Sequence, residues 1–376
     1  MRLRWTWKLG RVAGIDIRIH PSWLVIYGLI AWSAIIAARF FTPELGQQST
    51  IVLGLIASLV LFASVVAHEF AHALVARRLG IPIGGITLFL FGGVATILNE
   101  PGSPADEMRI AIAGPALSVA LAAIFFGLSL AASALNWLWG ATLCFFLCFA
   151  NASLAVFNLL PAFPSDGGRV LRAALWMWNK SQARATVWAS QVSLVVALGL
   201  AIAGLYFVFG LHEVRGFWWI VIAAFLAQAA MFSARQARID LALEQMHVAD
   251  CMLKTLIPVP ANTMVASFIG ELAGRPGTGY PVVDQGALVG LADVRHTSGV
   301  PLALWNQTPM SSVMVPISRT SRLNGRDSAR DALLRLHECG VDELPVYDGA
   351  ELVGIITRES IFDRLHANGA HSRPVA

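Results

Sequence analysis

The sequence predicts a polytopic α-helical membrane protein of about six spans, with short membrane-associated β strands and a water-soluble α/β domain behind it. Three observations predict this class. Of the 376 residues, 56% are hydrophobic and only 13% charged, against about 25% charged in ordinary soluble domains. The apolar surplus lies before residue 235, in runs that reach the roughly 20 residues a helix needs to cross a bilayer. After residue 235 charge returns, and a segment around Tyr280 recurs around Leu344, 64 residues later.

Residues 1–20 alternate loosely, through Trp5, Trp7, Leu9, Val12, Ile15, Ile17 and Ile19, and predict one or two strands at the membrane surface. They lack the apolar core and cleavage site of a signal peptide. Six spans follow in the region 21–235, at roughly 22–40, 51–78, 107–133, 136–160, 186–210 and 217–234. Arg2, Arg4, Lys8, Arg11 and Arg18 precede the first span; Arg77, Arg78 and Arg109 lie between the second and third. Arg169, Arg172, Lys180 and Arg184 follow the fourth, and Arg235 and Arg238 the sixth, while the opposite loops hold only Arg39 and Arg215. The positive-inside rule then puts both termini in the cytoplasm of a cell membrane. The same topology accounts for the net charge of +4, so no nucleic-acid partner is expected. Cys144, Cys148, Cys251 and Cys339 form no CxxC pair, which excludes a cysteine zinc site and a disulfide framework.

The run Gly84 to Ile97 is too short to span as a helix and is broken by glycine pairs, so two short strands around Gly92-Gly93 are expected. Backbone at membrane depth must be satisfied by protein or water. The hairpin should therefore pack into the protein, and its free edge, around Ile86 to Phe91, would be able to pair with another strand.

In the second span stands His68-Glu69-Phe70-Ala71-His72. Four-residue spacing puts both imidazoles on one helix face, one turn apart, where they can share a metal, with Glu69 beside it to take a proton from water. Three ionisable groups in five residues of an apolar span are costly and functional by default. A zinc site needs a third protein ligand and an open position. The run Asn158 to Arg169 offers Asp166 at a break where Pro161 and Pro164 end the fourth helix and Gly167-Gly168 are expected to let the backbone turn tightly. The second and fourth spans both run inward, so Asp166 arrives at the depth of the histidines. Glu44 and Glu213 are on the far side, and Glu100, Asp106 and Glu107 are expected in a loop.

His68-Glu69-Phe70-Ala71-His72, then Ala113-Gly114-Pro115, then Asn158 to Gly168, with Gly92-Gly93-Val94-Ala95 between, resemble the site-2 protease family of intramembrane metalloproteases over essentially the whole membrane domain. The resemblance implies one zinc ion held by His68, His72 and Asp166, Glu69 as general base, and cleavage of a membrane-anchored protein near the cytoplasmic face. A transcription-factor or anti-sigma-type regulator is the kind of substrate it implies. It also implies that Asn158, Gly92 and Gly93 meet the substrate, although Asn158 can equally make a helix-end hydrogen bond. Ser165 departs from the family, which often has an apolar residue before the aspartate.

Residues 236–247 read as a linker helix and 248–376 as two β-α-β-β-α modules, about 248–303 and 304–366. Tyr280-Pro281-Val282-Val283-Asp284 recurs as Leu344-Pro345-Val346-Tyr347-Asp348, and a weaker echo, Asp250-Cys251-Met252 and Ser312-Val313-Met314, precedes each copy. The repeat resembles a pair of CBS domains, regulatory modules that often bind an adenine nucleotide. Ser360 stands where the family's nucleotide-binding Asp is expected, and Asp293 and His296 replace Thr and Asp in the first copy. A nucleotide site and a purely structural pair that joins two chains as a homodimer both stay open. Two further readings are an inactive relative that only binds membrane helices, which the intact His-Glu-His and Asp set opposes, and a CBS-regulated transporter, for which paired broken helices are lacking.

Overall fold

Among the described residues six helices of the N-terminal part are long and apolar enough to cross a membrane, which marks a multi-pass membrane protein. The structure is a computed structural model that describes residues 6–12, 14–89, 92–97, 101–272 and 278–369. It divides into two units, Met1–Ala237 and Arg238–Ala376.

The first unit runs β1 (Trp7–Val12), β2 (Ile15–Ile19), α1 (Trp23–Phe41), α2 (Gln47–Arg78), β3 (Ile83–Phe89), β4 (Gly92–Ile97), α3 (Pro104–Ala134), α4 (Leu138–Asn158), α5 (Asp166–Asn179), α6 (Gln182–Leu205) and α7 (Gly216–Gln245). The spanning helices are inverted relative to soluble ones. Leu29, Trp32, Val119, Phe126, Phe149, Val195 and Leu198 face outward, while Ala34, Ala38, Ala57, Ala111 and Ala122 are buried. Small residues let helix backbones approach without a hydrophobic drive between them. At Gly54 the approach is close: a Cβ there would lie 2.8 Å from the Ala31 carbonyl oxygen of α1.

The strands form one sheet in the order β1-β2-β3-β4. β2 pairs with β3 in parallel, Ile17 opposite Ile86, so α1 and α2 together are the crossover. This corrects the expected edge. Ile86 to Phe89 belong to β3, an inner strand bonded on both sides; Leu90 and Phe91 lie outside the described residues. Among the described residues the free edge of the hairpin is β4, which Gly92 and Gly93 open opposite Phe89 and Leu88; β1 is the sheet's other edge. A second correction concerns residues 166–179. The glycines after Asp166 do not turn the chain; they lie in the first turn of α5. A Cβ at Gly168 would meet the Ala162 carbonyl carbon at 2.7 Å, so glycine is what lets α5 pack on the preceding loop.

The second unit holds β5 (Thr255–Leu256), β6 (Val259–Pro260), β7 (Thr278–Asp284), β8 (Ala287–Ala292), β9 (Val315–Pro316), β10 (Leu323–Asn324), β11 (Glu343–Asp348) and β12 (Glu351–Thr357). Its helices include the short turns α8 (Val248–Cys251) and α9 (Val265–Ser267), then α10 (Ala329–Cys339) and α11 (Arg358–Gly369). The repeat is visible as two hairpins, β7–β8 and β11–β12. Each echo segment packs on the other copy by the same device. Leu253 bridges Ile355 and Val315 pairs with Leu291, while a Cβ at Gly354 would strike Met252 Sδ at 2.6 Å and one at Gly290 would strike Met314 Sδ at 2.5 Å.

Candidate metal centre

Helix α2 continues unbroken through His68 to His72 and ends on Arg77 and Arg78, where cations suit the helix C-terminus. Gly80, at φ +79°, then turns the chain toward β3. Both imidazoles point into the bundle and are only 2% and 3% exposed. Asp166 enters from the first turn of α5 and is 9% exposed. Its Oδ2 lies 3.2 Å from His68 Nε2 and 3.1 Å from His72 Nε2. Among the described residues this is the group of three His, Cys, Asp or Glu side chains whose ligand atoms lie within 4.8 Å of one another.

Helix α3 is the back wall. Ser103 caps it by accepting the Asp106 N–H at 3.2 Å, with Pro104 next and Asp106 and Glu107 in the first turn. One face then carries Ile110, Gly114 and Ser118. His72 Nδ1 donates to the Ile110 carbonyl at 2.6 Å, and His68 Nδ1 bonds Ser118 Oγ at 2.8 Å. Such contacts fix ring orientation and tautomer. Gly114 sits between them: a Cβ there would lie 2.5 Å from His68 Nε2 and closer still to His72 Nε2.

The donor set fits a divalent ion. With its Nδ1–H donated to Ile110, His72 turns Nε2 toward Asp166 Oδ2 at 3.1 Å, so that in the neutral ring a lone pair and a carboxylate face the same point, as a divalent ion requires. Ligand bonds of 2.0–2.1 Å in a tetrahedron place donor atoms about 3.3 Å apart, close to both observed separations. Two imidazoles and a carboxylate with an open fourth position are the pattern of a catalytic zinc site.

The other expected residues are placed as follows. Glu69 is half-buried on α2 beside His68. Asn158 is the last residue of α4, and its Nδ2 donates to the Leu154 carbonyl at 3.0 Å within its own helix. Gly92 and Gly93 are on the β4 edge. Ser165 shares its hydroxyl between the Leu160 and Ala162 carbonyls, both at 2.6 Å, which ties down the loop before Asp166.

Glu107 is not in a loop. It is wholly buried in the first turn of α3, where Arg172 of α5 bonds it through Nε at 2.8 Å and also through Nη2, with Arg169 Nε at 4.0 Å. This pair clamps the helix that delivers Asp166. Its sequence signal was the spacing of Asp166, Arg169 and Arg172 on one side of a helix. Ser118 and the Ile110 carbonyl were missed too; the four-residue spacing about Gly114 could have found them.

Comparison with known proteins places the chain among peptidases. A model of peptidase family M50 matches residues 56–142 and 131–200, and a CBS domain model matches residues 312–367. A Synechocystis protein named "Putative zinc metalloprotease" is 33% identical over 370 residues, covering 96% of each chain. A Mycobacterium tuberculosis protein of the same name is 33% identical over 361 residues, 94% of this chain and 91% of its own. The solved site-2 protease from Methanocaldococcus jannaschii is 27% identical, covers 61% of this chain and 95% of its own, and superposes with a TM-score of 0.40.

Proposed function

Since the chain belongs to peptidase family M50, the site-2 proteases, we propose that it hydrolyses peptide bonds of membrane-anchored proteins within the membrane. The convergence of His68, His72 and Asp166 on one point, backed by α3, carries this reading. Those three residues would hold zinc. The chemistry a bound zinc ion supplies is Lewis acidity toward a peptide carbonyl and a lower pKa for water. Glu69 takes the proton from the attacking water and hands it to the leaving amine nitrogen.

A membrane helix hides its peptide bonds in internal hydrogen bonds, so the substrate must unwind locally. The β4 edge offers unpaired backbone groups to the unwound stretch, which would add as a fifth strand beside Gly92 and Gly93. Asn158, at the exposed end of α4, has a carbonyl oxygen left for the substrate backbone. The excess of basic residues in alternate loops supports a cytoplasmic membrane orientation with both termini and the CBS pair inside, hence a cut near the cytoplasmic face. The pair is the regulatory part, acting through a ligand or through assembly of two chains.

The test is cleavage of a single-span membrane substrate by detergent-purified wild type and Glu69→Gln. Wild type cuts, and the variant keeps its zinc but does not cut. Equal cleavage by both, in preparations free of other proteases, refutes the role of Glu69 and the reading with it.

A further inference from the structure

The second unit encloses a cavity of about 410 Å³, lined from both copies of the repeat. That is the size of a small-molecule site. Among the described residues its lining is acidic: Asp293, Glu343, Glu359 and Asp363, against Arg295 as the one cation. Glu359 and Asp363 are exposed on α11. Glu343, in β11, is 2% exposed, and its Oε1 has no hydrogen-bond partner. The nitrogen facing it, His296 Nδ1 at 3.7 Å, cannot donate, because it already accepts the Asp293 N–H at 3.2 Å. A buried oxygen left without a donor is costly, so the missing donor should come from the cavity.

Three classes of ligand can be weighed. Among the described residues an anion meets little positive charge in the lining: Arg295 is forked onto Asp293 through Nε and Nη2, both at 3.0 Å, and four acids surround it. A bare metal ion lacks a cage, since among the described residues only His68, His72 and Asp166 converge as ligands. An organic cation suits both the buried acid and the apolar wall of Leu253, Tyr280 and Val294. We propose that this cleft binds an aliphatic di- or polyamine, with one ammonium on Glu343 and another at the mouth on Glu359 or Asp363.

Burial pushes the Glu343 carboxyl up to about 8; Asp293 and Asp342 add to the rise and Arg295 opposes it. Burial holds His296 below its usual range, with Asp293 and Asp342 opposing and Arg295 reinforcing, so it brings no competing charge. At neutral pH the resting Glu343 keeps its proton. Amine binding releases that proton to solvent, and affinity climbs as pH rises through about 8 while alkyl ammonium groups, near pKa 10, stay charged.

The experiment is calorimetric titration of the full-length protein in detergent with putrescine, spermidine, magnesium chloride, and ATP with and without magnesium. Saturable polyamine binding is expected, about tenfold or more weaker in Glu343→Gln and without its rise from pH 7 to 9. Glu351→Gln, an exposed acid outside the cavity, should bind as wild type does. If Glu343→Gln fails to fold, Glu359→Gln combined with Asp363→Asn carries the test and should lower affinity as much. Three results overturn the proposal: no saturable polyamine binding, binding undiminished in both sets of variants, or binding of ATP or magnesium in preference to the amines.

Discussion

Gly114→Ala is the sharpest probe of the metal centre because it adds one carbon and removes nothing. That carbon would stand 2.5 Å from His68 Nε2, 2.6 Å from His72 Cε1, and nearer still to His72 Nε2. It occupies the space an ion would need. The rings can escape only by rotating, which breaks the Nδ1 bonds to Ser118 Oγ and the Ile110 carbonyl. Leaving each of those buried groups unpaired costs about 1–3 kcal/mol. Two of them cost about 2–6 kcal/mol, or about 30-fold to 10⁴-fold in zinc affinity at 1.4 kcal/mol per decade. The assay is competition for zinc against a chromophoric chelator, read as a dissociation constant for the purified protein. Gly127→Ala, on the same helix with nothing within 4 Å of its Cβ position, is the control and should bind zinc normally. If Gly114→Ala held zinc as tightly as Gly127→Ala, the ion would not sit between His68, His72 and Asp166.

Three other outcomes follow from the same contacts. Glu107→Ala strands Arg172 in a buried site and should destabilise the membrane unit by about 3–5 kcal/mol while weakening zinc binding; Glu107→Gln, which keeps an acceptor, should lose less of both in a melting and zinc-competition assay. Ser118→Ala should weaken zinc about 10- to 100-fold without changing the melting temperature by more than a few degrees, and an unchanged affinity would remove Ser118 from the site. Glu343 has a folded pKa of about 8, above its ordinary value near 4.3. Its stabilising contribution is therefore complete below about pH 4 and is lost as pH rises to 8, at up to about 1.4 kcal/mol per pH unit. The melting transition of the second unit should fall between pH 5 and 8, and Glu343→Gln should flatten that fall.

Legibility followed the range of each interaction. The spans, the His68–His72 pair and the repeat are written in local spacing, so the sequence displays them directly. Asp166 was legible because depth and charge placed it on the right side. The β2–β3 pairing was not, since two membrane helices separate Ile17 from Ile86 and no local pattern records a parallel partner. That pairing is what moved the free edge from β3 to β4. Helix α5 was hidden by its own start: Pro164 and Gly167-Gly168 read as a break, whereas the glycines serve a close approach to Ala162. Glu107 was hidden because an acid at the edge of a predicted span reads as part of the preceding loop, and only Arg172, brought from elsewhere, makes it a buried anchor.

The metal centre is encoded as much by α3 as by the histidine helix. At 100° per residue, Glu107, Ile110, Gly114 and Ser118 fall within about 80° of one another on its circumference. From that single stripe Ile110 and Ser118 orient the two imidazoles, Gly114 clears the volume between them, and Glu107 holds the helix that carries Asp166. The three side chains that would hold the ion are thus all registered to the same helix. A rotation or shift of α3 would move all three supports together, so disturbance there should degrade metal affinity and fold stability in parallel. Glu69 lies on α2, outside this stripe, so a change confined to it should separate chemistry from binding. That contrast distinguishes a residue that reacts from residues that hold the reacting geometry in place.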